Sequence, residues 1–140
     1  MQDQNNNFYS GLRELLDLEV MKNYNNAIVR KAFKKIAKPS KQILDFGAGI
    51  GTLSNIFRER YNLNPVCLEI DKRNISFLEK RKFNYIMSFD SLTSKIDFVF
   101  SSNVLEHIED DIKMLITIRD NLKKGGILYL YLPANMNLWT

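Results

Sequence analysis

Asp45, Gly47, Gly49 and Gly51, four residues at alternate positions, carry the densest chemical signal in this 140-residue chain. They sit in the run Ile43-Leu44-Asp45-Phe46-Gly47-Ala48-Gly49-Ile50-Gly51-Thr52, where a short apolar stretch meets an acid, three glycines and then a helix start. Such a run reads as a buried strand that turns tightly into a helix while something large lies against its backbone. Glycine is needed where a Cβ would collide or where φ must be positive. The free N–H groups of the following helix point at the same spot. These features predict a nucleotide-type site at the carboxyl end of a first strand. A glycine-rich turn without a ligand is the plainer alternative.

Further along, Glu69 closes the apolar run Val66-Cys67-Leu68, 22 positions after Gly47 (69 − 47). An acid at the end of a second strand offers two oxygens to the two hydroxyls of a ribose. Asp71 competes for that role, although capping a helix over 72–82 is its simpler use. Asp90 could receive an adenine amino group or could merely shape a turn. His107 is the sole histidine and follows the fourth apolar run. It could act as a general base, since imidazole titrates near neutrality, or hold the strand-to-helix turn. Glu106 reads as structural, and no residue spacing suggests a metal cluster.

Spacing decides which nucleotide. The dinucleotide fingerprint G-x-G-x-x-G would put its third glycine where Thr52 stands. The observed D-x-G-x-G-x-G resembles motif I of the class I S-adenosylmethionine-dependent methyltransferases. With it come the strand-end Glu69, N-V-L-E-H-I-E-D-D at 103–111, L-K-K-G-G at 122–126 and Y-L-P-A at 131–134. From about Tyr24 onward the chain is similar to one bacterial group of that family.

The resemblance implies a doubly wound, Rossmann-like α/β sheet of order 3-2-1-4-5 with S-adenosylmethionine across the carboxyl ends of strands 1, 2 and 4. It places Asp45, Gly47 and Gly49 along the methionine portion, Glu69 at the ribose, Asp90 at the adenine and Asn103 at the mouth after strand 4. Ala48, Gly51 and Ile70 join them as cofactor-binding positions, with His107 as the candidate catalytic residue. The acceptor implied is a small molecule or a glycan- or lipid-type compound, methylated on O, N, C or S. Two departures stand out. Lys124 replaces the usual proline of L-K-P-G-G, and the sequence stops before the helix and C-terminal antiparallel strands that complete such sheets. A truncated methyltransferase, a partner that supplies the rest, or a non-catalytic cofactor-binding module are the readings this leaves. A nicotinamide oxidoreductase is disfavoured by the glycine spacing.

The elements that must position these residues follow from periodicity. The pattern from Phe8 to about Lys38 is helical, with stripes at Leu12, Leu15, Leu16, Val20 and at Ala27, Ile28, Ala32, Ile36. Lys22 to Asn26 interrupts it, and Pro39-Ser40 ends it. Residues 1–38 thus precede an α/β core over 42–140 within a single domain. Helices are expected over Thr52–Tyr61 and Lys72–Lys82, and strands at 66–70, 85–87, 96–100 and 127–132. Ser88 to Lys95 must cross the sheet as an extended loop. The helix after Asp111 should bury Ile112, Leu115, Ile116 and Leu122, with Gly125 in the left-handed C′ position. Strand 127–132 would be the last in the sheet with an open apolar edge, so a homodimer or a fragment of a longer chain is expected.

A net charge of +4 is too slight to argue nucleic-acid binding. The basic run Arg30, Lys31, Lys34, Lys35, Lys38, Lys41 reads as a solvated helix face, or as a rim for an anionic substrate or membrane surface. One cysteine cannot form an internal disulfide, and no apolar run approaches a membrane span of about 20 residues. A cytoplasmic location is expected.

Overall fold

The computed structural model describes residues 6–36 and 42–133, with side chains from residue 11 onward. Helices α1 (Asn6–Glu19) and α2 (Lys22–Phe33) precede the sheet. The core then runs β1 (Ile43–Phe46), α3 (Thr52–Tyr61), β2 (Val66–Leu68), α4 (Lys72–Lys80), β3 (Tyr85–Ile86), β4 (Ile96–Ser102), α5 (Asp111–Asn121) and β5 (Leu122–Tyr131). The strand order is β3-β2-β1-β4-β5, as expected, and every pairing is parallel. No antiparallel pair occurs among the described residues. Lys38, Pro39, Ser40 and Lys41 lie outside them.

A parallel sheet needs both faces covered, so its central strands are apolar throughout. All four residues of β1 are buried, and Phe98, Val99 and Phe100 of β4 are almost wholly so. On one face Phe98 and Phe100 pack with Phe57 of α3 and with Ile28, Val29 and Ala32 of α2. On the other, Leu44, Phe46, Leu68 and Val99 meet Ile118 of α5. Cys67, Leu78 and Phe83 form a smaller cluster under α4.

Several boundaries differ from the sequence reading. The break between the first two helices falls at Val20-Met21, and Lys22 to Asn26 is helical. Asn25 explains this: its side-chain amide donates to the Leu18 carbonyl at 2.8 Å and ties the two helices together. Leu16 and Val20 are exposed rather than inward. In α5 the buried face is Met114 and Ile118, one turn apart, and Ile112 and Ile116 face solvent. The Ser88–Lys95 loop contains a single 3₁₀ turn at Phe89–Ser91.

Gly125 is left-handed (φ +79°) but does not follow a helix end. Helix α5 stops at Asn121 because Leu122 is already extended and pairs with Ile96. Lys123 to Gly126 then bulge out before pairing resumes at Phe98–Ile127. Lys123 Nζ holds the bulge by its 2.8 Å contact with Asp97. Among the described residues no helix is long and apolar enough to cross a membrane.

Candidate active site

A cleft of about 950 Å³ opens above the carboxyl ends of the strands. Its floor is the turn from β1 into α3. Gly47, Gly49 and Gly51 all have positive φ, at +74°, +57° and +81°. A Cβ on Gly47 would lie 2.4 Å from Val104 Cγ2, so this glycine lets the turn pass beneath the chain that leaves β4. The Gly47 and Ala48 N–H groups both donate to Leu68 O, which locks the turn to β2.

Glu69 is the centre of the site. Its carboxylate is buried and accepts from Gly49 N at 2.8 Å, Ile70 N at 2.8 Å and Asp71 N at 2.9 Å. A carboxylate has about four lone-pair positions, so one is left to face the cleft. Glu69 therefore shapes the glycine turn as well as offering itself to a ligand. Asp71 takes the simpler of its two possible roles. It accepts from Arg73 N to cap α4 and is ion-paired with the Arg73 guanidinium at 2.7 Å. The hydrogen bond from the Arg73 side chain, above all, holds its carboxyl below the usual range.

The cleft wall includes Gly47, Ala48, Gly49, Glu69, Ile70, Asp90, Asn103 and His107. Asp45 and Gly51 lie behind it. Gly51 faces Leu78 and Phe83, where a Cβ would come within 2.8 Å of Leu78 Cδ2. Asp45 is 3% exposed and accepts a 2.7 Å hydrogen bond from Ser54 Oγ. Burial raises its carboxyl to about 7, opposed by the Ser54 bond and assisted by the nearby Glu69 charge. His107 stands on the rim with its side chain 78% exposed, and Glu106 beneath it has a buried Oε2 with no hydrogen-bond partner.

Some of the wall was not foreseen. Leu12, Leu15 and Leu18 of α1 cover the glycine turn, with Leu15 methyls 3.3 Å from where a Gly49 Cβ would sit. Tyr24, Met87 and Phe89 also line it. The helical stripe of leucines in α1 was the available signal, and it reads equally well as ordinary core.

The ionisable lining is mostly acidic: Glu14, Glu69, Asp71 and Asp90 against Arg73, already paired, and His107. An acidic cleft in a chain of net charge +4 suits a cationic ligand and opposes a pyrophosphate.

The family model for a methyltransferase domain matches residues 18–139. The chain belongs to the methyltransferase domain family. No curated protein matches it significantly. Among solved structures, the glycopeptide N-methyltransferase MtfA superposes with a TM-score of 0.66 at 20% identity, over 76% of this chain and 52% of that one. The plantazolicin methyltransferase BpumL, solved with S-adenosylhomocysteine, gives 0.70 at 17% identity over 92% and 53%. DesVI from Streptomyces venezuelae gives 0.70 at 16% over 92% and 59%. The chain thus spans about half the length of these structures, and the likeness is one of fold.

Proposed function

We propose that this protein binds S-adenosylmethionine in the cleft and transfers its methyl group to a small-molecule, glycan- or lipid-type acceptor. The observation that carries the reading is the Glu69–glycine-turn unit at the ends of β1 and β2, set in an acidic cleft. S-adenosylmethionine is cationic at its sulfonium and its amino group, whereas a nicotinamide dinucleotide brings two phosphates. On this reading Glu69 accepts from a ribose hydroxyl through its remaining acceptor position, and Asp90 and Ile70 hold the adenine. Gly47, Ala48 and Gly49 pass beneath the methionine chain, with Asp45 and Gly51 supporting them from below and Asn103 at the mouth. MtfA has been solved with S-adenosylmethionine and with sinefungin, which supports the cofactor assignment by fold.

When bound, the cofactor supplies an electrophilic methyl carbon. The chain's part is to hold it in line with the acceptor and keep water out, and positioning of this kind provides most of the rate. His107 on the rim takes a proton from the acceptor where one must be lost. The sequence motifs favour the bacterial group described above, and the lone free cysteine suits a reducing, cytoplasmic location. We place self-association at the open edge of β5, which sedimentation at micromolar concentration tests.

Calorimetry with S-adenosylhomocysteine and with NAD tests the cofactor, and labelled-methyl transfer into a cell extract tests the activity. Binding of the first ligand and not the second, with labelled product, is expected. Tighter binding of NAD would reverse the reading. S-adenosylhomocysteine binding without product would favour a non-catalytic binding module.

A further inference from the structure

Part of the cleft wall takes no share in holding the cofactor. In the order β3-β2-β1-β4-β5 the assigned groups follow three adjacent strands: Asp90 after β3, Glu69 after β2 and the glycine turn after β1. From that turn the cleft extends along α1, α2 and the start of α3, where Leu12, Leu15, Leu18, Tyr24, Ile28 and Leu53 line it. Helical geometry brings the leucines there: they recur every third residue, so α1 turns one apolar stripe toward the cleft. Leu15 methyls pass 3.3 Å from the Cβ position of Gly49. Tyr24 and Leu53 pack against the cluster that holds Ile28. The Tyr24 ring also meets Tyr131 edge-on, with centroids 6.1 Å apart. This wall is not ordinary core, because protein does not cover it. Leu12 and Leu15 are only half-buried, and Leu18 is 38% exposed. An apolar surface left open inside a cleft marks a ligand-binding wall.

The polar groups on this side are few and partly engaged. The Asn25 side-chain amide donates to Leu18 O at 2.8 Å, and the Asn103 amide donates to Ser102 Oγ at 3.4 Å. Thr52 Oγ1, buried at the start of α3, has no partner. A sugar carries a hydroxyl on almost every ring carbon, and each one buried without a partner costs free energy. A wall of leucine and isoleucine supplies no such partners. An acyl chain or an aromatic ring carries no such cost and gains from leaving water.

We propose that this wall seats the methyl acceptor, and that the acceptor carries an apolar body, an acyl chain or an aromatic ring, and is not a free glycan. This deepens the methyl-transfer reading above and rests on it. The apolar body lies against the leucine stripe of α1, with Tyr24 and Ile28 of α2 beside it. Its nucleophilic atom faces the cofactor across the glycine turn. Leu18, the most exposed residue of the stripe, sets the preference for apolar acceptors.

The test loads the protein with S-adenosylhomocysteine and measures binding of octylamine, phenethylamine and glucosamine by calorimetry. In slightly acidic buffer all three amines are cationic, so they differ in the body and not in the charge. In parallel, methyl label transferred from S-adenosylmethionine into a cell extract is partitioned between organic-soluble and water-soluble products. Octylamine or phenethylamine should bind about tenfold tighter than glucosamine or better, and the stronger of the two separates an acyl from an aromatic body. The label should enter organic-soluble products. Leu18→Asn should cut the preference to about threefold or less, with S-adenosylhomocysteine affinity within about twofold of wild type. Leu12→Asn repeats the test at a second place on the stripe. Equal affinity for the three amines, label confined to water-soluble products, or an unchanged preference in both variants would each overturn the proposal. So would a protein that binds S-adenosylhomocysteine yet takes up none of the amines and labels nothing. Failure to bind S-adenosylhomocysteine at all would instead overturn the cofactor reading on which the proposal rests.

Discussion

Replacing Gly47 by alanine tests the packing of the cleft floor, because two separable penalties meet there. The first is conformational. Gly47 has φ +74°, and the left-handed region costs an L-residue about 1–2 kcal/mol. The second is steric: the new Cβ would lie 2.4 and 2.8 Å from the two Val104 methyls, which must move. Overpacking of this kind costs about 1–3 kcal/mol. Gly47→Ala should therefore lose about 2–5 kcal/mol in urea unfolding with an unchanged m-value. Gly125→Ala is the control. It has φ +79° with nothing within 4 Å of its Cβ, so only the conformational loss applies. The double variant Gly47→Ala/Val104→Ala should recover the steric part alone, with a coupling of about 1–3 kcal/mol. Zero coupling, or a Gly47→Ala as mild as Gly125→Ala, would refute this account of the turn.

Other outcomes follow from the same geometry. The folded-state carboxyl of Asp45 is raised from 3.8 to about 7, so the native state binds this proton more tightly than the unfolded chain. The resulting stability, about 4 kcal/mol, is fully present below the unfolded value and is lost as pH rises to the folded one. Asp45→Asn should flatten the stability profile between those limits, and an unaltered slope would contradict the assignment. Glu69→Ala strips three N–H groups of their acceptor. It should destabilise the fold and weaken S-adenosylhomocysteine binding by about 1.5–3 kcal/mol; unchanged affinity in calorimetry would remove Glu69 from the ribose. His107→Ala concerns an exposed side chain, so stability should shift by no more than about 0.5 kcal/mol. Methyl transfer should fall by about a hundredfold or more if His107 is the base, and an unaffected rate would show that water takes the proton.

The parts of this molecule that were legible in the sequence are those specified by neighbours in the chain. Helix α3 occupies Thr52–Tyr61 as expected, because the glycine turn fixes its start and a left-handed Asn62 ends it. Asp71 caps α4 through a contact two residues away. The strand order is the one that the family resemblance implied. What escaped notice depends on contacts between distant elements. Ser54 is an unremarkable polar residue in sequence, yet it is wholly buried and donates to Asp45. Gly51 belongs with Leu78 and Phe83, a partnership that only the packing of α4 creates. The inward face of α5 could not be chosen by periodicity, since apolar residues lie at Ile112, Met114, Leu115, Ile116 and Ile118. Packing of Ile118 and Met114 against the sheet decided it. The edge-on contact of Tyr24 with Tyr131 likewise joins two elements that no local pattern connects.

The central claim is that the cleft holds S-adenosylmethionine along the strand ends in a fixed direction. A crystal structure of the chain with S-adenosylhomocysteine tests this most directly. The account predicts a ribose hydroxyl on Glu69, adenine beside Asp90 and Ile70, and the methionine chain over Gly47–Gly49. A ligand bound in the reverse direction, or one that leaves Glu69 untouched, would contradict it.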